Sequence, residues 1–263
     1  MSVDYHVHTF MCGHASGTPD EYIQRAISSG LREIGFSDHA PLPDGLREGV
    51  TMRQDEVERY IGMIDDLRRE YHGKIVIRIG LEIDFPLHPS LERRFLTDTR
   101  LDYSIGSCHI LGDWMFDNPE CIDEYRIRDI DEIYAEYYDI LEQLVRSRHF
   151  SIVGHLDLVK KFGYRPKRDF TRTIEKIIKL ISRDNLTVEI NTAGLRNPVG
   201  EIYPADWIIQ RLFDADVPVT LSSDAHRPED IASGFSVAIE KIRAAGYRKV
   251  SGFAQRRRYD ILL

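Results

Sequence analysis

Hydrophobic and polar positions along the chain alternate between two periods. Short β-rich or apolar runs read as strands at Val3–His8, Glu33–Ser37, Ile75–Ile83, Leu101–Ser107, Ser151–Gly154, Leu186–Ile190 and Val217–Leu221, with a weaker run at Lys249–Phe253. Between them, apolar residues at helical spacing predict helices over Pro19–Ser29, Gln54–Tyr71, Asp131–Arg148, Thr171–Arg183, Ala205–Ala215 and Ser233–Ala245. The first helix is announced by T-P-D-E, in which Thr18 caps, Pro19 suits the first helical position and Glu21 closes a capping box; Gly30 supplies a left-handed stop. Strands that alternate with helices build a mostly parallel α/β sheet. Seven or eight such units in 263 residues argue for a closed barrel, which needs about 250, over an open doubly wound sheet, although periodicity alone leaves both standing. No repeat, low-complexity tract or Gly/Ser/Pro linker interrupts the pattern, so residues 1–263 read as a single domain.

The polar residues that follow the strands change this picture. Strand one ends D-Y-H-V-H, with His6 and His8 two apart and therefore on one face. The next ends deliver His39 in S-D-H, Glu82 and Asp84 in G-L-E-I-D, His109 in G-S-C-H, His155 in G-H-L-D, and Asp224 with His226 in S-D-A-H. His14 lies in the loop after strand one. In a parallel barrel all carboxyl ends surround one mouth, so residues scattered in sequence converge there. Imidazole and carboxylate are ligands for Zn, Fe or Mn, and this set exceeds the four that one tetrahedral zinc uses, which implies a multinuclear site. His72 and His149 follow helices and His88 sits in P-L-H-P; these three carry ordinary surface roles. Asp84 and Asp157 suit outer or exposed positions, and Cys12 and Cys108, each beside a histidine that already fits, are bystanders.

The ordered set H-V-H, C-G-H, S-D-H, G-L-E, G-S-C-H, G-H-L-D and S-D-A-H resembles the PHP (polymerase and histidinol phosphatase) family over nearly the whole chain. It is most similar to the histidinol-phosphate phosphatase branch, since many members carry an acid where this chain has His14. The resemblance implies a distorted (β/α)7 TIM-like barrel holding up to three divalent metal ions. By motif, His6, His8, Glu82 and Asp224 surround the first ion, Glu82 bridges to a second held by His109 and His155, and His14, His39 and His226 bind the third. The implied reaction is hydrolysis of L-histidinol phosphate to L-histidinol and phosphate in histidine biosynthesis; other PHP activities, on phosphodiesters, nucleic acid or phosphotyrosine, are the alternatives, with a non-catalytic metal-binding domain behind them.

Clustered cations suit phosphate ester hydrolysis because they bring the pKa of a shared water toward neutrality, supply hydroxide as nucleophile and neutralise charge on the phosphoryl oxygens. Glu82 and Asp224 then take catalytic positions in the metal cluster. S-S-D-A-H at Ser222–His226 contains a Ser-His-Asp set, but no G-x-S-x-G elbow accompanies it. Arg196, just after strand six, is at the correct end of the barrel to grip two phosphate oxygens, with both substrate-binding and catalytic consequences; Lys160 is a second candidate for a substrate contact. The long connection Gly112–Arg128 reads as a lid or specificity loop in which Trp114, Phe116, Asp117 and Glu120 either face a cationic imidazole or amine or, for the aromatics, pin the loop to the barrel.

Composition narrows the partners. With 43 acidic and 35 basic residues the net charge is −8, which disfavours sequence-independent nucleic-acid binding and leaves a small phosphorylated substrate as the expected partner. No apolar run approaches the ~20 residues of a bilayer span and no signal-like segment opens the chain, so no membrane partner is expected and the expected location is the cytoplasm. The three cysteines, Cys12, Cys108 and Cys121, read as free thiols. Oligomeric state leaves no mark in the sequence.

Overall fold

A computed structural model describes residues 3–263 except Arg47, Ser90 and Glu92. In chain order the elements are β1 (Val3–Val7), α1 (Pro19–Ser28), β2 (Glu33–Phe36), α2 (Val57–Glu70), β3 (Val76–Ile79), β4 (Glu82–Asp84), β5 (Ile105–Ser107), β6 (Ile110–Leu111), β7 (Trp114–Met115), α3 (Glu124–Ile127), α4 (Ile130–Ser147), β8 (Ile152–Val153), α5 (Thr171–Arg183), β9 (Thr187–Asn191), α6 (Asp206–Asp214), β10 (Val219–Ser222), α7 (Phe235–Ala245), β11 (Lys249–Ala254) and β12 (Arg257–Leu262).

Two parallel sheets, ordered β1-β2-β3 and β10-β9-β8-β5-β4, carry the strands. Their edges are joined by parallel bridges at Val7 with Ala225 and at His39 with Glu82. Backbone bonds support both seams: His8 N–H donates to the Ala225 carbonyl at 2.9 Å, and Ala40 N–H to the Glu82 carbonyl at 2.7 Å. With β3 and β4 counted as one broken strand, the result is a distorted seven-stranded barrel. The single strand expected over Ile75–Ile83 is interrupted at Gly80 and Leu81, where the Tyr103 ring packs closely on the chain. A side chain at Gly80 would lie 2.5 Å from the Tyr103 ring, and one at Gly35 would lie 2.4 Å from its hydroxyl.

The helices form where their caps and apolar stripes predicted. Thr18 and Glu21 make the reciprocal capping box at the start of α1. On α5 the isoleucines 174, 177, 178 and 181 fall on one buried face, so that helix is held by its packing against the barrel. At the opposite end from the strand-end histidines, β11 and β12 form an antiparallel hairpin. The hairpin donates Phe253 N–H to Tyr5 Oη and Gln255 N–H to Asp102 Oδ1, and Tyr259 Oη–H to Glu33 Oε1 at 2.6 Å, so it lies across the N-terminal ends of several strands. Among the described residues, no helix is long and apolar enough to cross a membrane.

Candidate metal centre

The strand ends bring the expected histidines and carboxylates to one mouth around Glu82, a fully buried acid on β4. Its Oε2 stands 3.0 Å from His39 Nδ1, 3.1 Å from His6 Nε2 and 3.6 Å from His8 Nε2. Its Oε1 faces the other way, 3.1 Å from His155 Nε2 and 3.5 Å from His109 Nε2, and accepts a hydrogen bond from Ser107 Oγ at 2.6 Å. One carboxylate therefore presents one oxygen to each of two histidine groups. Asp224 Oδ1 closes the first group at 3.4 Å from His8 Nε2 and 3.8 Å from His6 Nε2. Asp224 holds a left-handed backbone at φ 53°, which turns its carboxylate back over the barrel end just after β10. The His226 ring stacks on His8 at 4.1 Å and on His14 at 4.6 Å.

Seven of the polar side-chain atoms in this cluster are buried without partners. His6 Nε2, both ring nitrogens of His8, His39 Nδ1, Glu82 Oε2, His155 Nδ1 and His226 Nε2 make no hydrogen bond. Each unsatisfied buried group costs about 1–3 kcal/mol, so a concentration of them is a site shaped for a ligand that completes them. Among the described residues, five overlapping groups each bring their ligand atoms within 4.8 Å, among them His6 with His8 and Asp224, His8 with His39 and His226, and His39 with Glu82 and His109. Imidazole nitrogens with carboxylate oxygens fit Zn, Fe or Mn, and their overlap fits several ions rather than one.

Charge follows the same geometry. Burial would raise the Glu82 carboxyl, but His6, His39 and His109 outweigh it and hold the group well below the usual glutamate range. Burial pulls His109 down, yet Asp84, Glu82 and Asp117 prevail and lift it to about 10. His226 is pushed down to about 3, first by burial and then by His14 and His39 against the pull of Asp224.

Several supporting residues had no distinctive signal in the sequence. Glu189, inside β9, is fully buried; its Oε2 accepts from His6 Nδ1–H at 2.9 Å and its Oε1 from the His155 backbone N–H at 2.6 Å. Asp38, beside His39, is held by the hydroxyl and backbone N–H of Thr9. Asp84, expected in an outer position, accepts from His109 Nδ1–H at 2.8 Å. Such carboxylates fix the tautomer and direction of a ligand imidazole.

Beyond the histidines, a cavity of about 610 Å³ is lined by His14, His39, Asp84, His109, Asp117, Glu120 and Lys161, with Glu48 to Val50 on its other wall. A second, polar cavity of about 410 Å³ is lined by Lys161, which the first also has, and by Arg196, Arg227, Asp224 and His226. Arg196 is at this mouth, where its Nη2 donates to the carbonyls of Ser223 and Asp224 at 2.7 and 3.1 Å and its Nε is 3.4 Å from Asp230. Lys160 is not: its Nζ is buried, 2.8 Å from Asp157 Oδ2 and 3.2 Å from Glu201, and donates to the Ile202 carbonyl. The expectation of a substrate contact at Lys160 is corrected by a tight turn over Leu158–Lys160, which turns Lys160 inward and leaves the next residue, Lys161, at the mouth with its Nζ 3.1 Å from Asp117. In the loop after β5, Trp114 and Phe116 are buried against Tyr125 and Tyr137 and pin the segment, while Asp117 and Glu120 face the cavity.

A parallel barrel with a histidine and carboxylate cluster at the carboxyl ends of its strands defines a class of barrel hydrolases built on divalent metals. Within that class the chain belongs to the PHP domain family, whose profile matches residues 4–193. It is 39% identical over 251 residues to a Deinococcus radiodurans protein named "Probable histidinol-phosphatase", covering 94% of this chain and 95% of that one. It is 30% identical to the histidinol-phosphatase of Bacillus subtilis, covering 90% and 98%. The fold is also that of the Lactococcus lactis histidinol phosphate phosphatase, crystallised with zinc, L-histidinol and phosphate: TM-score 0.83, 23% identity and 98% of both chains covered.

Proposed function

We propose that this protein is a metal-dependent phosphomonoesterase that hydrolyses L-histidinol phosphate to L-histidinol and phosphate, a step of histidine biosynthesis. The observation that carries the reading is the set of buried, unpartnered imidazole and carboxylate atoms at the barrel mouth, with the two oxygens of Glu82 facing two histidine groups. Names of relatives at 30–39% identity over nearly the full length support the substrate. His6, His8, Glu82 and Asp224 would hold one ion, Glu82 with His109 and His155 a second, and His14, His39 and His226 contribute to a third. Divalent ions bound there lower the pKa of water and neutralise charge on the phosphoryl group.

The chain's own residues do the rest. Glu189 and Asp84 orient His6 and His109. Arg196, with Arg227 and Lys161 on the same cavity, grips the phosphate as a cationic wall, and the guanidinium of Arg196 supplies directional donors to charge that builds on the phosphoryl oxygens. Asp117 and Glu120, on the adjoining cavity, face the cationic end of the substrate. Residues 1–263 act as one domain, because Asp224 and His226, beyond the family match, complete the mouth, and Ala225 between them pairs with Val7 of β1. A small phosphorylated substrate in the cytoplasm, rather than nucleic acid, suits the net charge of −8.

The test is phosphate release from a panel of L-histidinol phosphate, single-stranded DNA and a phosphotyrosyl peptide, with and without chelator. Histidinol phosphate is expected to be cleaved far faster than the others, and chelator to abolish the reaction. Faster release from DNA or the peptide would move the assignment to another PHP activity.

A further inference from the structure

Asn191 closes β9 at the mouth and is fully buried. Its Oδ1 accepts from the Ala193 backbone N–H at 2.8 Å, at the start of the tight turn Ala193–Arg196. Because a backbone N–H only donates, that bond fixes which way round the side-chain amide sits. Nδ2 therefore faces the other way and donates to Glu189 Oε1 at 3.0 Å and to Asp224 Oδ2 at 3.2 Å. An amide nitrogen carries two protons, and here each meets a carboxylate. The side chain starts from a rigid base: Asn191 is in register with Ser222 of β10 and exchanges two backbone bonds with Tyr203, at 2.7 and 2.8 Å.

The bond to Asp224 bears on the metal centre. Asp224 turns Oδ1 toward His8 Nε2 at 3.4 Å and His6 Nε2 at 3.8 Å, while Oδ2 is the oxygen that Asn191 holds. The left-handed backbone of Asp224, at φ 53°, costs a non-glycine residue energy and persists only where its surroundings hold it. Two residues at and just beyond the end of β9 supply that hold. Asn191 takes the side chain, and Arg196 Nη2 takes the Ser223 and Asp224 carbonyls at 2.7 and 3.1 Å. The same amide also separates two like charges, since Glu189, already bonded to His6 Nδ1–H and the His155 backbone N–H, shares its nitrogen with Asp224.

We propose that Asn191 is a positioning residue of the metal centre: by holding Oδ2 of Asp224 it leaves Oδ1 alone to face the site of His6 and His8. The inference rests on the metal-dependent reading of the mouth and adds a residue that acts through Asp224. Both donor bonds end on carboxylates and are of the stronger, charge-assisted kind. Outer partners of a ligand are worth about 10–100-fold in metal affinity. Without the amide, Asp224 is free to turn either oxygen to the histidines, so the loss falls on the ion shared by His6, His8 and Asp224. Glu189 keeps its bonds to His6 and His155, which limits the effect on the site of His109 and His155.

Two variants separate a donor from a filler of space. Asn191→Leu keeps the volume and removes every side-chain bond, and Asn191→Ala removes the same bonds with the least risk to packing. Chelator-stripped protein is titrated with Zn(II) by calorimetry, with melting temperature and kcat followed alongside. The wild type should bind more than one Zn(II). Both variants should bind one of those ions about 10–100-fold more weakly and the rest as the wild type does, and kcat on L-histidinol phosphate should rise as zinc is raised past the wild-type requirement. A merely structural residue would lower the melting temperature and leave the affinities and the zinc requirement unchanged. That result in either variant overturns the proposal and leaves the metal-dependent reading intact, and wild-type affinity in Asn191→Leu alone reduces Asn191 to a filler. Uptake of one ion or less by the wild type overturns both.

Discussion

The two ends of the barrel each bury an acid among polar neighbours, and they solve the problem in opposite ways. At the N-terminal end, Glu33 accepts from Tyr5 Oη–H at 2.8 Å, Tyr259 Oη–H at 2.6 Å and Arg78 Nε–H at 3.1 Å, so its charge is matched and its lone pairs are filled by the protein. At the C-terminal end, Glu82 has one oxygen without a hydrogen bond and faces His6 Nε2, His8 Nε2 and His39 Nδ1, which make none either. Buried polar groups in folded proteins are normally satisfied. The N-terminal end is a finished structural network, and the mouth is one whose missing partners are the ligands. Burial alone does not separate a structural acid from a functional one; the accounting of its partners does.

Substitutions at the two ends should sharpen this contrast. Glu82→Gln removes the charge that faces both histidine groups, and kcat on histidinol phosphate should fall by on the order of 10³ or more, together with metal content measured by plasma emission. Arg196→Ala should lower kcat by on the order of 10²–10³ with metal content intact, because a guanidinium recognises phosphate and binds no cation. Lysine there should restore only part of the rate, since it returns charge without the two-pronged geometry. Wild-type kcat and KM in the alanine variant would reduce Arg196 to a loop residue.

Glu189→Gln keeps the shape of the side chain but weakens its hold on His6 and on the His155 backbone, so metal affinity measured by calorimetric titration should drop about 10–100-fold. Unchanged affinity would confine Glu189 to a structural role. The smallest effect on catalysis belongs to the other end. Tyr259→Phe removes a hydrogen bond to a buried carboxylate and should cost about 1.5–3 kcal/mol of stability in denaturant unfolding, with kcat and metal content unchanged. A fall in kcat there would show that the two ends are not independent.

Much of the mouth was legible because strand periodicity and barrel topology act together. H-V-H puts His6 and His8 on one face of β1, and any parallel barrel then gathers the ends of its strands, so S-D-H, G-L-E and S-D-A-H needed only an approximate boundary to be placed. What failed depended on tertiary contact or on a rotation of one residue. Glu189 in T-V-E-I-N reads as an ordinary polar position of a strand, and only the opposed His6 and His155 make it a hinge of the cluster. Lys160 and Lys161 are adjacent identical residues, and the turn that sends one inward and the other to the mouth leaves no trace in composition. Ile75–Ile83 looks like one strand, and its interruption at Gly80 and Leu81 falls where Tyr103, a residue from the next unit, packs on it. Likewise β12, rich in charge, forms because β11 pairs with it and Tyr259 reaches Glu33.

The central claim, that the unpartnered atoms of the mouth exist to hold several ions that hydrolyse a phosphate ester, is tested most directly by following metal content and phosphate release together. Protein purified without chelator should carry more than one equivalent of Zn, Fe or Mn. Stepwise chelation should remove metal and hydrolysis of L-histidinol phosphate in parallel, and readdition of the ion should restore both. Full activity in protein that holds one equivalent or less would contradict the account.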